Sequence, residues 1–126
     1  MIDASERALL EETVRKAIAG ATADGGAAID AVLAQLGWRE MLAAEPRDAI
    51  DIVFSALGSV HATATVLDDV LSSALGGTPD AGLAVLFPPF AAWDPPGRID
   101  GDLLHARGLA TPRAVQAGGM RVVCTR

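Results

Sequence analysis

The sequence predicts an α+β fold, in which a helical domain over residues 1–77 precedes a short β-segment over residues 78–126. In the first region, apolar side chains recur with the 3.6-residue period of amphipathic helices. After Gly77 this period ends, and residues 83–87 form a continuous apolar run of strand length. Helices that precede strands along a chain are typical of the α+β class. We expect about four helices.

The first two predicted helices are defined by their ends. Asp3 and Glu6 have the spacing of a helix capping box, so the first helix is predicted to begin there, and the glycine-rich residues 20–26 end it. The second helix covers residues 27–36 and ends at Gly37, where a C′ residue needs positive φ. The predicted buried faces are Leu10, Val14, Ala17 and Ile18 in the first helix, and Ile29, Val32, Leu33 and Leu36 in the second.

Two further helices are predicted over residues 46–60 and 66–75. Pro46 takes a first-turn position, where the missing N–H of proline costs nothing, and the glycines after residue 75 end the last helix. The third helix has its predicted apolar stripe at Ile50, Val53, Phe54 and Leu57.

The β-segment is predicted to contain the strand at residues 83–87, a hairpin and a last strand at residues 121–125. The hairpin turn is Asp100-Gly101, a dipeptide that tolerates positive φ, between Arg98-Ile99 and Leu103-Leu104.

Composition excludes some function classes. The chain has 126 residues, enough for one domain with a sizeable core, and a net charge of −6, which disfavours a nucleic-acid partner. No apolar run is long enough to predict a membrane span, and the polar N-terminus is unlike a signal peptide, so we expect a cytoplasmic protein. The single cysteine, Cys124, cannot form an internal disulfide.

Several segments together resemble the acyl-CoA dehydrogenase family. The helix corner Leu36-Gly37-Trp38 and the long helix after Pro46 resemble that family's N-terminal helical domain, as does the opening helix over residues 5–16. Residues 100–101, 108–114 and 121–124 resemble the start of its central β-domain. The resemblance implies an orthogonal helical bundle followed by the beginning of that β-domain.

The resemblance also implies FAD-dependent formation of a double bond next to an acyl-CoA thioester. In the family, a carboxylate in a C-terminal helical domain removes the substrate α-proton, and that domain is not among these residues. Residues 86–90, Leu-Phe-Pro-Pro-Phe, stand where the family often has a Glu-Pro turn near the flavin. We therefore assign no catalytic or cofactor-binding residue and expect no FAD on the chain alone.

Completion by other polypeptide is thus expected. We predict a homo-oligomer or a heteromeric complex with a dehydrogenase-like partner, in which edge strands and apolar surface are covered. The alternative is a non-catalytic partner subunit or interaction module that has kept the helical scaffold and lost the flavin site. A third, weaker hypothesis is a small unrelated enzyme that uses His61, Asp68 or Cys124.

The residue types capable of chemistry have structural interpretations as well. Asp68-Asp69 and His61 are too few ligands for zinc, so we predict no metal site and assign the aspartates to the positive end of a helix dipole. Nothing in the sequence orients Cys124 towards His105 as a nucleophile–base pair. Trp38 is predicted to cap the core with its N–H on a carbonyl or water. The remaining aromatic side chains form a predicted exposed patch: Phe87, Phe90 and Trp93.

Overall fold

Helices occupy the first part of the chain and short antiparallel strands the second, which confirms the predicted α+β order. The computed structural model describes residues 2–111 and residue 113. The helices in this part of the chain are α1 (Ala4–Ala21), α2 (Gly26–Gln35), α3 (Trp38–Ala44), α4 (Pro46–Ser59) and α5 (Leu67–Ala74), with a 3₁₀ turn at Thr22–Asp24. The strands are β1 (Leu86–Phe87), β2 (Gly97–Asp100), β3 (Leu103–Ala106) and β4 (Leu109–Ala110).

The predicted start of α1 is confirmed by its N-cap. The Asp3 carboxylate accepts hydrogen bonds from the backbone N–H groups of Ser5, at 2.8 Å, and Glu6, at 2.9 Å. These bonds satisfy two of the amide donors that the first turn of a helix otherwise leaves unpaired. The capping-box spacing therefore located the start of α1 correctly.

The corner between α2 and α4 contains one helix more than the sequence predicted. Gly37 has φ +78° and ends α2, and Pro46 begins α4, as expected. Between them α3 spans seven residues, too few to display an apolar period in the sequence. Trp38 and Leu42 lie one helical turn apart and are buried together, so tertiary packing stabilises this short helix.

One hydrophobic core joins the first four helices and Val66, the residue before α5. The face of α4 is rotated from the predicted stripe, because Ile50 and Phe54 are only partly buried. Leu36 is 39% exposed, so its assignment to the buried face of α2 was wrong. The fully buried members of the core are Val14, Ile18, Ile29, Leu33, Trp38, Leu42, Ala49 and Val53.

Ion pairs at the surface tie α1 to α4. The Arg7 guanidinium lies 2.9 Å from Glu11 on its own helix and also contacts Asp48 and Asp51 of α4. Hydrogen bonding to Glu11 raises the pKa of Arg7 above its ordinary value. Because these groups are in contact with water, the pairs orient the helices and add little stability.

The strands form two separate antiparallel pairs. The pair β2–β3 is the predicted hairpin, with Arg98 opposite His105 and Gly101 in its turn at φ +61°. The pair β1–β4 places Phe87 opposite Leu109. Only Leu86–Phe87 of the predicted strand 83–87 belongs to a strand, and the predicted strand at 121–125 lies outside the described residues. In the part of the chain that the structure describes, no helix combines the length and apolarity needed to cross a bilayer.

Candidate functional site

Two adjacent carboxylates lie completely buried where α5 begins. Asp68 and Asp69 have no solvent-exposed surface, although aspartate is almost never fully buried unless it is paired. Both lie in the first turn of α5, as predicted from the helix dipole, but no local pattern in the sequence indicated their burial. We call these two residues and the groups bonded to them the aspartate cluster.

Asp69 is held by donors from both directions. The Trp38 Nε1–H donates to Asp69 Oδ2 at 3.0 Å, and Arg113 Nη1 donates to Oδ1 at 2.8 Å. Arg39 Nε lies 3.4 Å from Oδ2, within ion-pair distance. The acceptor of the Trp38 N–H is thus a buried carboxylate, and the predicted carbonyl or water was wrong. Cations thus contact both oxygens of this carboxylate, which offsets part of the desolvation cost of its burial.

Arg113 connects the cluster to the chain before β1. Its Nη1 also donates to the backbone carbonyl oxygens of Asp80 and Leu83, each at 3.2 Å. Its Nη2 donates to Thr65 Oγ1 at 3.1 Å, and this hydroxyl donates in turn to Asp30 Oδ2 at 2.7 Å. The side chain of Arg113 is only 11% exposed. A single guanidinium therefore links α2, the start of α5 and the segment after α5.

Asp68 differs from Asp69 because no cation contacts it among the described residues. Its Oδ1 accepts a hydrogen bond from the Val85 backbone N–H at 2.9 Å and another from the Thr111 hydroxyl. Its Oδ2 is buried and has no hydrogen-bond partner in the described part of the chain. Asp68 and Asp69 thus accept hydrogen bonds from residues beyond the predicted domain boundary at residue 77, and these bonds hold the strand region against the helices.

The other residues considered from the sequence do not join this cluster. Within residues 2–111 and 113, no group of three His, Cys, Asp or Glu side chains is arranged to hold a metal ion. His61 is exposed at the end of α4, with φ +52°. Cys124, and with it the imagined pair with His105, lies outside the described residues. The hydrogen bonds around Asp68 and Asp69 hold separate parts of the chain together, which is a structural role.

A second feature is an open cavity of about 640 Å³ beside the β2–β3 hairpin. Arg98 and His105 line it from facing strands, and Arg107 lines it just beyond β3. From the sequence, His105 was considered only as a base for Cys124, and Arg98 and Arg107 were not predicted to belong to a site. The two-residue spacing of His105 and Arg107 was the available signal. The other lining residues are Pro89, Ala92, Asp94, Pro95, Pro96, Gly97, Leu104 and Ala106.

Large apolar side chains remain in solvent around the strands. Phe90 is 91% exposed and Trp93 is 97% exposed, and Phe87 is also exposed, as the sequence predicted. Ile99 and Leu103 of the hairpin are exposed as well. The helices, in contrast, bury most of their large apolar side chains in the common core.

Comparison of the chain with protein-family models, with curated proteins and with solved structures finds no match.

Proposed function

We propose that this chain is the helical domain and the start of the β-domain of an acyl-CoA dehydrogenase-like protein. FAD-dependent α,β-dehydrogenation of acyl-CoA thioesters then requires further polypeptide that supplies the flavin site and the catalytic base. The observation that carries the proposal is the contrast between a helical core that is well buried and a strand region that exposes Phe90, Trp93, Ile99 and Leu103. Cytoplasmic location is part of the proposal.

The helix corner supports the family assignment. Gly37 adopts the left-handed conformation that the Leu-Gly-Trp corner requires, and Trp38 is anchored by Asp69 in the core. The order of a helical unit followed by antiparallel strands is also that of the family's first two domains. The aspartate cluster connects these two parts through buried hydrogen bonds.

The strand region supports the need for completion. Two-stranded pairs are marginal in water unless further strands or a packing surface cover them. The pairs β1–β4 and β2–β3 are each two-stranded among the described residues, and β3 is exposed along its length. We propose that a second copy of the chain or a heteromeric dehydrogenase-like partner covers this surface.

The alternative proposal is a non-catalytic partner subunit that has kept the helical scaffold. Residues 86–90 favour it, because two prolines and two phenylalanines replace the polar turn that approaches the flavin in the family. The exposure of Phe90 suits contact with another protein better than contact with a cofactor.

The experiment measures flavin and turnover in a reconstituted complex. The neighbouring coding sequences are first searched for a dehydrogenase-like protein. The chain is then purified alone and together with any such neighbour, and the flavin absorbance per protein is compared. We expect a colourless chain alone, and a yellow complex that oxidises an acyl-CoA while the neighbour alone does not. Full flavin content and turnover in the neighbour alone support the non-catalytic alternative. Stoichiometric flavin retained by the isolated chain through gel filtration contradicts both proposals.

A matched pair of variants tests which surface is covered. Ile99→Lys places a charge on the exposed hairpin, and Leu9→Lys places the same charge on an exposed position of α1. We expect the first variant to shift the complex towards free chains in sedimentation, and the second to leave assembly unchanged. Equal sedimentation of the two variants contradicts a covered hairpin.

A further inference from the structure

The open cavity beside the β2–β3 hairpin has the volume of a small-molecule site. Its volume of about 640 Å³ falls within the range of about 300–1,000 Å³ that is usual for ligand pockets. One wall is the proline-rich loop over residues 88–96, and the other is the hairpin. The backbone N–H of Arg107 donates to the Pro96 carbonyl at 2.7 Å and holds the two walls together.

Three nitrogen-bearing side chains belong to one face of the hairpin wall. Arg98 and His105 are direct cross-strand partners, so their side chains point to the same side of the sheet. Arg107 follows His105 by two residues and pairs through its backbone with Pro96, which continues the same alternation. The register of the strands therefore places two guanidinium groups and an imidazole on one face. Arg98 precedes His105 by seven residues, and Arg107 follows His105 by two.

The two guanidinium groups are not neutralised within the part of the chain that the structure describes. Neither Arg98 nor Arg107 has an ion-pair partner there, whereas Arg7, Arg39 and Arg113 each contact a carboxylate. His105 Nε2 lies 3.9 Å from Asp100 Oδ2, at the outer limit of an ion pair, and both side chains are exposed to water, which screens this contact.

The nearby acids do not balance the two arginines. Asp94 is the acidic side chain among the lining residues, so the two guanidinium groups give the lining an excess of positive charge, while Asp100 lies outside the lining beside His105. This excess is opposite in sign to the net charge of −6 of the whole chain. A site with an excess of positive charge attracts an anionic ligand.

We propose that this cavity binds the phosphate group of a small molecule through Arg98, His105 and Arg107. A guanidinium fork donates two parallel hydrogen bonds to phosphate oxygens, and a phosphate offers enough acceptor oxygens for three donors. The prolines of residues 88–96 and Leu104 provide an apolar surface for the rest of the ligand. The concave shape favours a small ligand over a lipid bilayer, which a flat or convex surface contacts. The proposal does not depend on the dehydrogenase assignment.

The test uses inorganic pyrophosphate as the probe and isothermal titration of the full chain. We expect saturable binding that Arg98→Ala/Arg107→Ala weakens by about ten-fold or more, because charge-assisted hydrogen bonds are lost. The matched control is Arg15→Ala/Arg47→Ala, which removes the same charge from exposed positions on α1 and α4 and leaves affinity unchanged. Equal weakening in both double variants means general electrostatic attraction and overturns the proposal.

Two further measurements keep the test independent of folding and of the ligand source. His105→Gln leaves both arginines in place and should weaken pyrophosphate binding to a smaller extent, while far-UV circular dichroism reports that each variant is folded. Vesicles of phosphatidylserine and phosphatidylcholine provide the second arm. Absence of saturable pyrophosphate binding to the unmodified chain overturns the proposal. Binding to these vesicles that pyrophosphate does not displace also overturns it, in favour of a membrane surface.

Discussion

The substitution Asp69→Asn tests whether the aspartate cluster stabilises the fold. Asparagine has nearly the same shape as aspartate, so packing is preserved while the charge and one acceptor oxygen are lost. Because Trp38 and Arg113 donate to different oxygens, the amide group of asparagine must place its own N–H donors against one of them. The substitution also leaves the Arg113 guanidinium, 11% exposed, without its carboxylate.

The expected cost follows from burial. Breaking a buried ion pair by removing one partner costs about 3–5 kcal/mol of unfolding free energy. The lower end applies here, because Arg39 is 31% exposed and water replaces part of its interaction. We therefore expect a loss of about 3 kcal/mol. That is a large share of the 5–15 kcal/mol, roughly, by which domains are stable.

Urea denaturation monitored by tryptophan fluorescence measures this loss, since Trp38 is buried against Asp69. The control is Asp51→Asn. The Asp51 carboxylate forms an ion pair with Arg7, and the Asp51 side chain is 64% exposed. We expect the control to cost less than about 1 kcal/mol. If the two variants unfold within about 0.5 kcal/mol of each other, the buried ion pair makes no special contribution and the reasoning is wrong.

Three other substitutions separate local from tertiary effects. Asp68→Asn should change the unfolding free energy by less than about 1 kcal/mol, because Oδ1 keeps both of its donors and no described cation loses a partner. A loss as large as that of Asp69→Asn in the same urea titration contradicts this. Leu33→Ala, at a position 1% exposed, should reduce the unfolding free energy by about 2–5 kcal/mol. The control Leu9→Ala, at a position 68% exposed, should reduce it little, and equal denaturation midpoints for the two variants mean that the core assignment is wrong. Gly108→Ala should be more destabilising than Gly101→Ala in thermal unfolding, because its methyl group overlaps a β1 carbonyl. At Gly101 the added methyl group meets open space, so the cost there is the strain of φ +61° alone; the reverse order refutes the close approach.

Only some of the candidate sites could be predicted from the sequence. The exposed Phe90 and Trp93 were predicted because a proline-rich loop has no regular face to bury. The cavity arginines were not, because Arg98 and Arg107 become neighbours through the register of a hairpin and through the bond to Pro96. A pattern within one strand does not contain that information.

The sequence by itself determined the features that depend on a few adjacent residues. Asp3 caps α1, Gly37 ends α2 and Pro46 begins α4, because capping, positive φ and the missing proline N–H are local properties of the backbone. Tertiary structure decided whatever depends on distant partners. Asp69 is buried against donors that lie far from it in the sequence, among them Arg113, 44 residues later. The helix α3 forms because the core accepts Trp38 and Leu42. Desolvation and packing act between segments that folding brings together, and no local pattern records them.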